Sequence, residues 1–217
     1  MSMIETITKL IHQELLYPEW EMTKQLLAVM NVELDNGLPK IEAVVVNKEA
    51  GSAIGYVPVT EGFYIGVHLV IKEGAVEINA IDSEPSIHLS YSPISEDLSV
   101  EDLLCLTSLQ PQQVQHADGA TGSGYNSLWF ESSARPGRIE EKLDEFLAYL
   151  EQDVAGIHRL IAHTGKADIW VSIGFHIANR NFTQLFLPQE LIARLHQLGL
   201  ALTFDLRMLG REITSNY

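Results

Sequence analysis

The chain has 217 residues, 46% of them hydrophobic and 20% charged, with a formal net charge of −15. That apolar content excludes a disordered chain, and the length is enough to bury a core without metal or disulfide. The acidic balance argues against phosphate backbones and anionic membrane surfaces; it fits a basic partner or simply a soluble surface.

From the N-terminus, Ile4, Ile7, Leu10, Ile11 and Leu15 recur at helical spacing over residues 3–16. Glu5 and Glu14 interrupt any apolar run, so this segment reads as neither signal peptide nor anchor. Pro18 suits the first turn of a second helix carrying Met22, Leu26, Leu27 and Met30. Asn36-Gly37 marks a turn. Strand-like runs follow at Ile41–Val46, Tyr56–Val59 and Phe63–Ile71, and Lys72-Glu73-Gly74 predicts a tight turn into Val76–Ile81. Asp82-Ser83-Glu84-Pro85 is polar, contains proline, and sits where the patterning restarts. It predicts a boundary between a module at 1–83 and a domain at 84–217.

In the second half, Ile87, Leu89 and Tyr91 alternate with His88, Ser90 and Ser92, the pattern of a half-buried strand. Ser99 with Asp102 resembles a capping box and opens a helix expected to bury Val100, Leu103, Leu104 and Leu106. Residues 116–128 read as a loop, and Trp129-Phe130 as a short strand. Ile139, Leu143, Phe146, Leu147 and Leu150 give one helix face; Val154, Ile157, Leu160 and Ile161 extend it or form a second segment after a break. Ile169, Val171, Ile173, Phe175 and Ile177 make the strongest strand signal in the chain. Leu185–Leu187 reads as a short partner strand. Pro188 starts a helix that Gly199 caps, and Leu202, Phe204, Leu206 and Met208 form the last strand. The predicted class is α+β: two packed modules, each a largely antiparallel sheet with helices on one face.

The opening strand Ile87–Ser92, the helix Val100–Leu109 running to Gln110-Pro111, the loop ending at Trp129, the helix around Glu141–Leu150 and the closing Leu198-Gly199-Leu200-Ala201-Leu202-Thr203-Phe204-Asp205 together resemble domain-of-unknown-function family 4279, an uncharacterised and mainly bacterial group. The resemblance covers about residues 86–209. It implies a compact α+β domain and no assigned chemistry. Residues 1–83 resemble no named family.

Several features invite a chemical reading, and each has a plainer one. Gly119-Ala120-Thr121-Gly122-Ser123-Gly124 lacks the Lys and Ser/Thr that a phosphate loop needs after its last glycine, because Tyr125 and Asn126 follow; a surface loop is the plainer reading. Cys105 is the only cysteine, which rules out an intrachain disulfide and suits a reducing, cytoplasmic location; among leucines it reads as a buried small hydrophobe. The histidines show no metal-binding spacing, and His158 and His163 are five apart. No metal or cofactor is expected. Glu140, Glu141, Asp144 and Glu145 read as the solvated face of a helix.

The polar face of the second sheet is the remaining candidate. Alternation places His88, Trp170, His176, Asp205 and Arg207 there, with Ser90, Ser92, Ser172 and Thr203. Such a face can bind a ligand or a partner, with Trp170 as an anchor; the plainer reading is that it is covered or internally paired. The expected function is therefore a non-enzymatic interaction module, in one form an immunity-type inhibitor of a basic toxin. The alternative is a small-molecule binder or unrecognised enzyme working through that face, and a third reading is a structural role through self-association.

Overall fold

The computed structural model describes residues 2–117, 124–177 and 185–213. The chain divides into two compact units: Met1–Ser86, Ile173–Gln184 and Leu206–Tyr217 form the first; Ile87–Ser172 and Leu185–Asp205 form the second.

The first unit opens with α1 (Met3–Leu16), started by a complete capping box between Ser2 and Glu5. α2 spans Glu21–Val29. A two-residue hairpin joins β1 (Leu34–Asp35) to β2 (Leu38–Pro39), with Asn36 and Gly37 both at positive φ. The sheet is β3 (Ala43–Asn47), β4 (Ser52–Pro58), β5 (Tyr64–Lys72) and β6 (Ala75–Glu84), antiparallel in sequence order. Glu73 and Gly74 close the β5–β6 hairpin, again both at positive φ, as a primed turn requires. A bulge after His68 leaves Asn79 unpaired on β6. Ile7, Ile11, Leu15 and Leu26 from the helices meet Val57, Ile65, Val67 and Leu69 from the strands in one core. Gly55 permits this approach, because a Cβ there would collide with the Ile11 side chain.

The remaining elements are β7 (Ser86–Tyr91), β8 (Ile94–Ser95), α3 (Val100–Cys105), β9 (Gln113–Gln115), β10 (Asn126–Glu131), α4 (Ile139–Leu150), α5 (Val154–Thr164), β11 (Asp168–His176), α6 (Gln189–Leu198) and β12 (Ala201–Leu209); they form the second unit except for Ser86 and the ends of β11 and β12 from Ile173 and from Leu206, which are counted in the first. The strand order is β12-β11-β7-β10-β8, with β9 beside β10. β10 runs antiparallel to β7, β8 and β9. β12 instead runs parallel to β11. Ala201 N–H donates to Ala167 O near one end and Ile177 N–H to Leu209 O at the other, so both chains advance in the same direction along the pair. α6 lies in the connection between the two, as a parallel pair demands.

The core of this unit takes Leu89, Tyr91, Leu128, Phe130, Ile169 and Val171 from the strands, and Leu143, Phe146, Leu150, Ile157, Leu160 and Leu195 from the helices. Tyr91 stacks on Phe130 at 6.0 Å between ring centroids. The helices are also tied by charge: Arg194 of α6 grips Glu151 through Nε (2.7 Å) and a second nitrogen (2.9 Å), and reaches Asp144 on α4.

The break after Leu150 is a 3-10 turn, Glu151–Asp153. Asp153 then caps α5 by accepting from Gly156 N–H at 2.8 Å, and it also accepts from Ser108 N–H (2.6 Å), Ser108 Oγ and Thr107 Oγ1. The Ser108 amide, with the other donors, holds the Asp153 carboxyl down to about 2.

Three expectations about elements change. Residues 185–188 are not strand. The helix after Ser99 stops at Cys105, within two turns, so Leu104 is exposed and Leu106 only half-buried. Cys105 is exposed rather than buried, because it lies on the outer side of that short helix. The glycine-rich stretch read as a surface loop lies, up to Ser123, outside the described residues.

Asp153 yields a pH prediction. Its folded carboxyl sits below an unfolded value of about 3.9. Its contribution is therefore complete above that value and is lost as pH falls towards 2. Asp153→Asn should cost about 1 kcal/mol at neutral pH, and urea unfolding at a series of pH values should show the gap from wild type closing between about pH 4 and pH 2.

Candidate functional site: an aromatic groove on the second unit

The strand period decides which side chains are left over from the core. On β7, Leu89 and Tyr91 point into the core, so Ser90 and the following Ser92 point the other way. On β10, Leu128 and Phe130 are buried and Trp129 takes the opposite face. On β11, Ile169 and Val171 are buried and Asp168 and Trp170 take the opposite face. β11 neighbours β7 and β7 neighbours β10, so these residues converge.

The result is a groove of about 380 Å³ lined by Ser90, Ser92, Ile94, Tyr125, Trp129, Lys166, Asp168 and Trp170. Trp170 is 46% exposed. Trp129 is held by its indole N–H, which donates to Ser127 Oγ at 2.8 Å. Tyr125 stands just before Asn126, whose side chain donates to Leu98 O (2.9 Å) and accepts from Ala117 N–H (2.7 Å). Lys166 follows Gly165, the left-handed residue that ends α5. The Tyr91 hydroxyl donates to Lys166 O at 3.3 Å and fixes that corner from below. Burial, then the nearby Asp168 carboxylate, push the Tyr91 phenol well above its ordinary range. Among the described residues, neither the Asp168 carboxylate nor the Lys166 ammonium takes a hydrogen bond or ion pair.

Of the residues singled out in the sequence, Trp170 lines this groove. His88 shares the polar face of β7, half-buried, with Nε2 3.7 Å from Glu131 Oε1, but does not line the cavity. Asp205 is half-buried on β12, and Arg207 is exposed two residues on. His176 belongs to the first unit. It is 1% exposed, its Nε2–H donates to Arg211 O at 2.8 Å, and its ring lies 5.3 Å from that of Phe63. The same face of β11 therefore carries an exposed indole at one end and a packed imidazole at the other.

Asp168, Lys166, Tyr125 and Trp129 were not singled out as site residues by the sequence. The usable signal was Asp168 two residues before Trp170, with Trp129 out of phase with Leu128 and Phe130. Among the described residues no three His, Cys, Asp or Glu side chains cluster to hold a metal ion. Glu141, Asp144 and Glu145 lie on the exposed side of α4, and Glu140 is half-exposed. His158 Nε2–H donates to Gln197 O at 3.0 Å, tying α5 to α6. No described helix is long and apolar enough to cross a membrane.

Fold and groove together define an α+β protein with an open aromatic cavity on the sheet face turned away from the core. The model of the family described as a domain of unknown function (DUF4279) matches residues 85–209, and the chain belongs to that family. No curated protein and no solved structure matches the chain.

The packing around His176 depends on Gly210, which sits at φ 83° with its would-be Cβ 2.5 Å from His176 Cδ2. Gly210→Ala should lower the unfolding free energy by about 1–3 kcal/mol, read by urea titration.

Proposed function

We propose that the chain is a binding protein whose recognition site is the groove of the second unit. The observation that carries this reading is the convergence of Tyr125, Trp129 and Trp170 with a half-buried carboxylate, Asp168, that has no partner among the described residues. Large aromatic side chains left accessible on a rigid sheet are typical binding anchors, because they bury much surface for little lost rotamer entropy. A partly desolvated carboxylate without a partner raises the energy of the empty protein and lowers it when a guest donates to it. The cavity volume of about 380 Å³ falls in the range of small-molecule sites. Binding is favoured over catalysis because, among the described residues, no hydrogen bond couples the Asp168 carboxylate or the Lys166 ammonium to a groove serine as a nucleophile–base pair, and Ser92 Oγ donates to Leu128 O instead.

A second reading is favoured by a different place. On the first unit, Tyr17, Glu19, Trp20 and Glu77 surround a hollow of about 230 Å³ whose lining has no basic residue. It lies at the C-terminal end of α1, where no basic side chain offsets the negative end of the helix dipole. With the net charge of −15, this supports recognition of a basic protein. Its finer form is an immunity-type inhibitor capping a basic toxin.

One experiment separates the two readings. The tryptophan emission of the full chain is titrated with a panel of saccharides, nucleosides, amino acids and arginine-rich peptides. The groove reading expects a saturable ligand whose affinity falls about tenfold or more, equivalent to one aromatic contact, in both Trp170→Ala and Asp168→Asn. It fails if every ligand found binds both variants as well as wild type. A peptide that binds both variants equally and is released by salt supports the second reading instead.

A further inference from the structure

This inference rests on the groove being a binding site. We infer that its guest is a neutral polyhydroxylated ring of the pyranose class.

The first reason is charge. The chain as a whole is strongly acidic, yet the groove holds one carboxylate, Asp168, and one ammonium, Lys166, and so has no net charge of its own. An anionic guest would face Asp168 and the surrounding negative field; a cationic guest would face Lys166. A guest bearing hydroxyls uses both. The carboxylate accepts from one or two O–H groups, and the ammonium donates to a hydroxyl or ring oxygen. Both groups are available, since neither is engaged among the described residues.

The second reason is the apolar part of the lining. Tyr125, Trp129 and Trp170 supply ring surface, with Ile94 beside them. Trp129 spends its N–H on Ser127 Oγ, so it offers the groove ring surface rather than a donor. A pyranose with equatorial hydroxyls has flat, slightly positive C–H faces, which complement the negative face of an indole. Its hydroxyls lie around the rim, where Ser90, Ser92, Lys166 and Asp168 supply polar atoms. One ligand thus satisfies stacking and polar groups together. An aliphatic guest would leave Asp168 unpaired, and a guest with two charges of one sign would leave a like-charge contact.

The third reason is rigidity. Ser90, Trp129, Asp168 and Trp170 stand on strands whose inward neighbours are buried, so the polar and stacking groups are positioned before the guest arrives. The volume of about 380 Å³ admits one or two linked sugar rings.

The test uses the intact chain and the disaccharides maltose, cellobiose, lactose and di-N-acetylchitobiose, followed by tryptophan emission and titration calorimetry. The expected result is saturable binding of at least one, with a Kd between about 10 μM and 1 mM. Affinity should fall about tenfold or more in Trp170→Ala and in the isosteric Asp168→Asn. Because the guest is neutral, affinity should change less than about twofold in 0.5 M salt. Absence of saturable binding by all four at concentrations up to about 20 mM overturns the inference. If a nucleoside, amino acid or peptide then binds and is lost in both variants, the groove remains a binding site for another class of guest. If nothing binds through Trp170 or Asp168, the groove reading falls as well.

Discussion

The two-residue period of the strands is the constraint on which the second unit depends. Leu89, Tyr91, Leu128, Phe130, Ile169 and Val171 must share one face to meet the helices, and all are at or near complete burial. Everything one residue out of phase is then committed to the other face. Slipping β11 by one residue would drive Asp168 and Trp170 into the core and turn Ile169 and Val171 out. The groove is thus a consequence of the packing, fixed in register by side chains it does not contain.

That logic also explains what was legible in the sequence. Alternation over Ile87–Tyr91 and Ile169–Phe175 located both strands, and turn chemistry located the hairpins: Asn36-Gly37 and Glu73-Gly74 take the positive φ values that such loops need. Gly199 ends α6 in the left-handed conformation for the same local reason. What was not legible is tertiary. β8 and β9 are two and three residues long, and Gln113-Val114-Gln115 has no apolar pattern; they exist because β10 offers them hydrogen bonds. The parallel run of β12 beside β11 follows from the α6 crossover, while β10 runs antiparallel to β7, β8 and β9.

The site shows the same division. Trp170 could be named from alternation alone, but grouping it with Trp129 and Tyr125 needs the strand order, which brings together residues some 40 positions apart. His176 illustrates the converse. Its parity matches that of Trp170, yet its end of β11 is packed with Phe63, Leu209 and the backbone at Gly210. Parity predicts the face of a strand; it does not predict what lies against that face further along.

The chain is strongly acidic in composition, and its second unit carries a locally neutral, aromatic cavity. Its polar groups are held in place by strands and by the Gly165 cap, and Asp168 is left without a partner among the described residues. The central claim is that these side chains are not needed to hold the fold together. The most direct test is the urea unfolding free energy of the Asp168→Asn/Trp170→Ala double variant, measured beside Phe146→Ala. The account predicts that the double variant stays within about 1 kcal/mol of wild type, as for exposed positions, while truncation of buried Phe146 costs about 3–5 kcal/mol. A double variant as unstable as Phe146→Ala would contradict it.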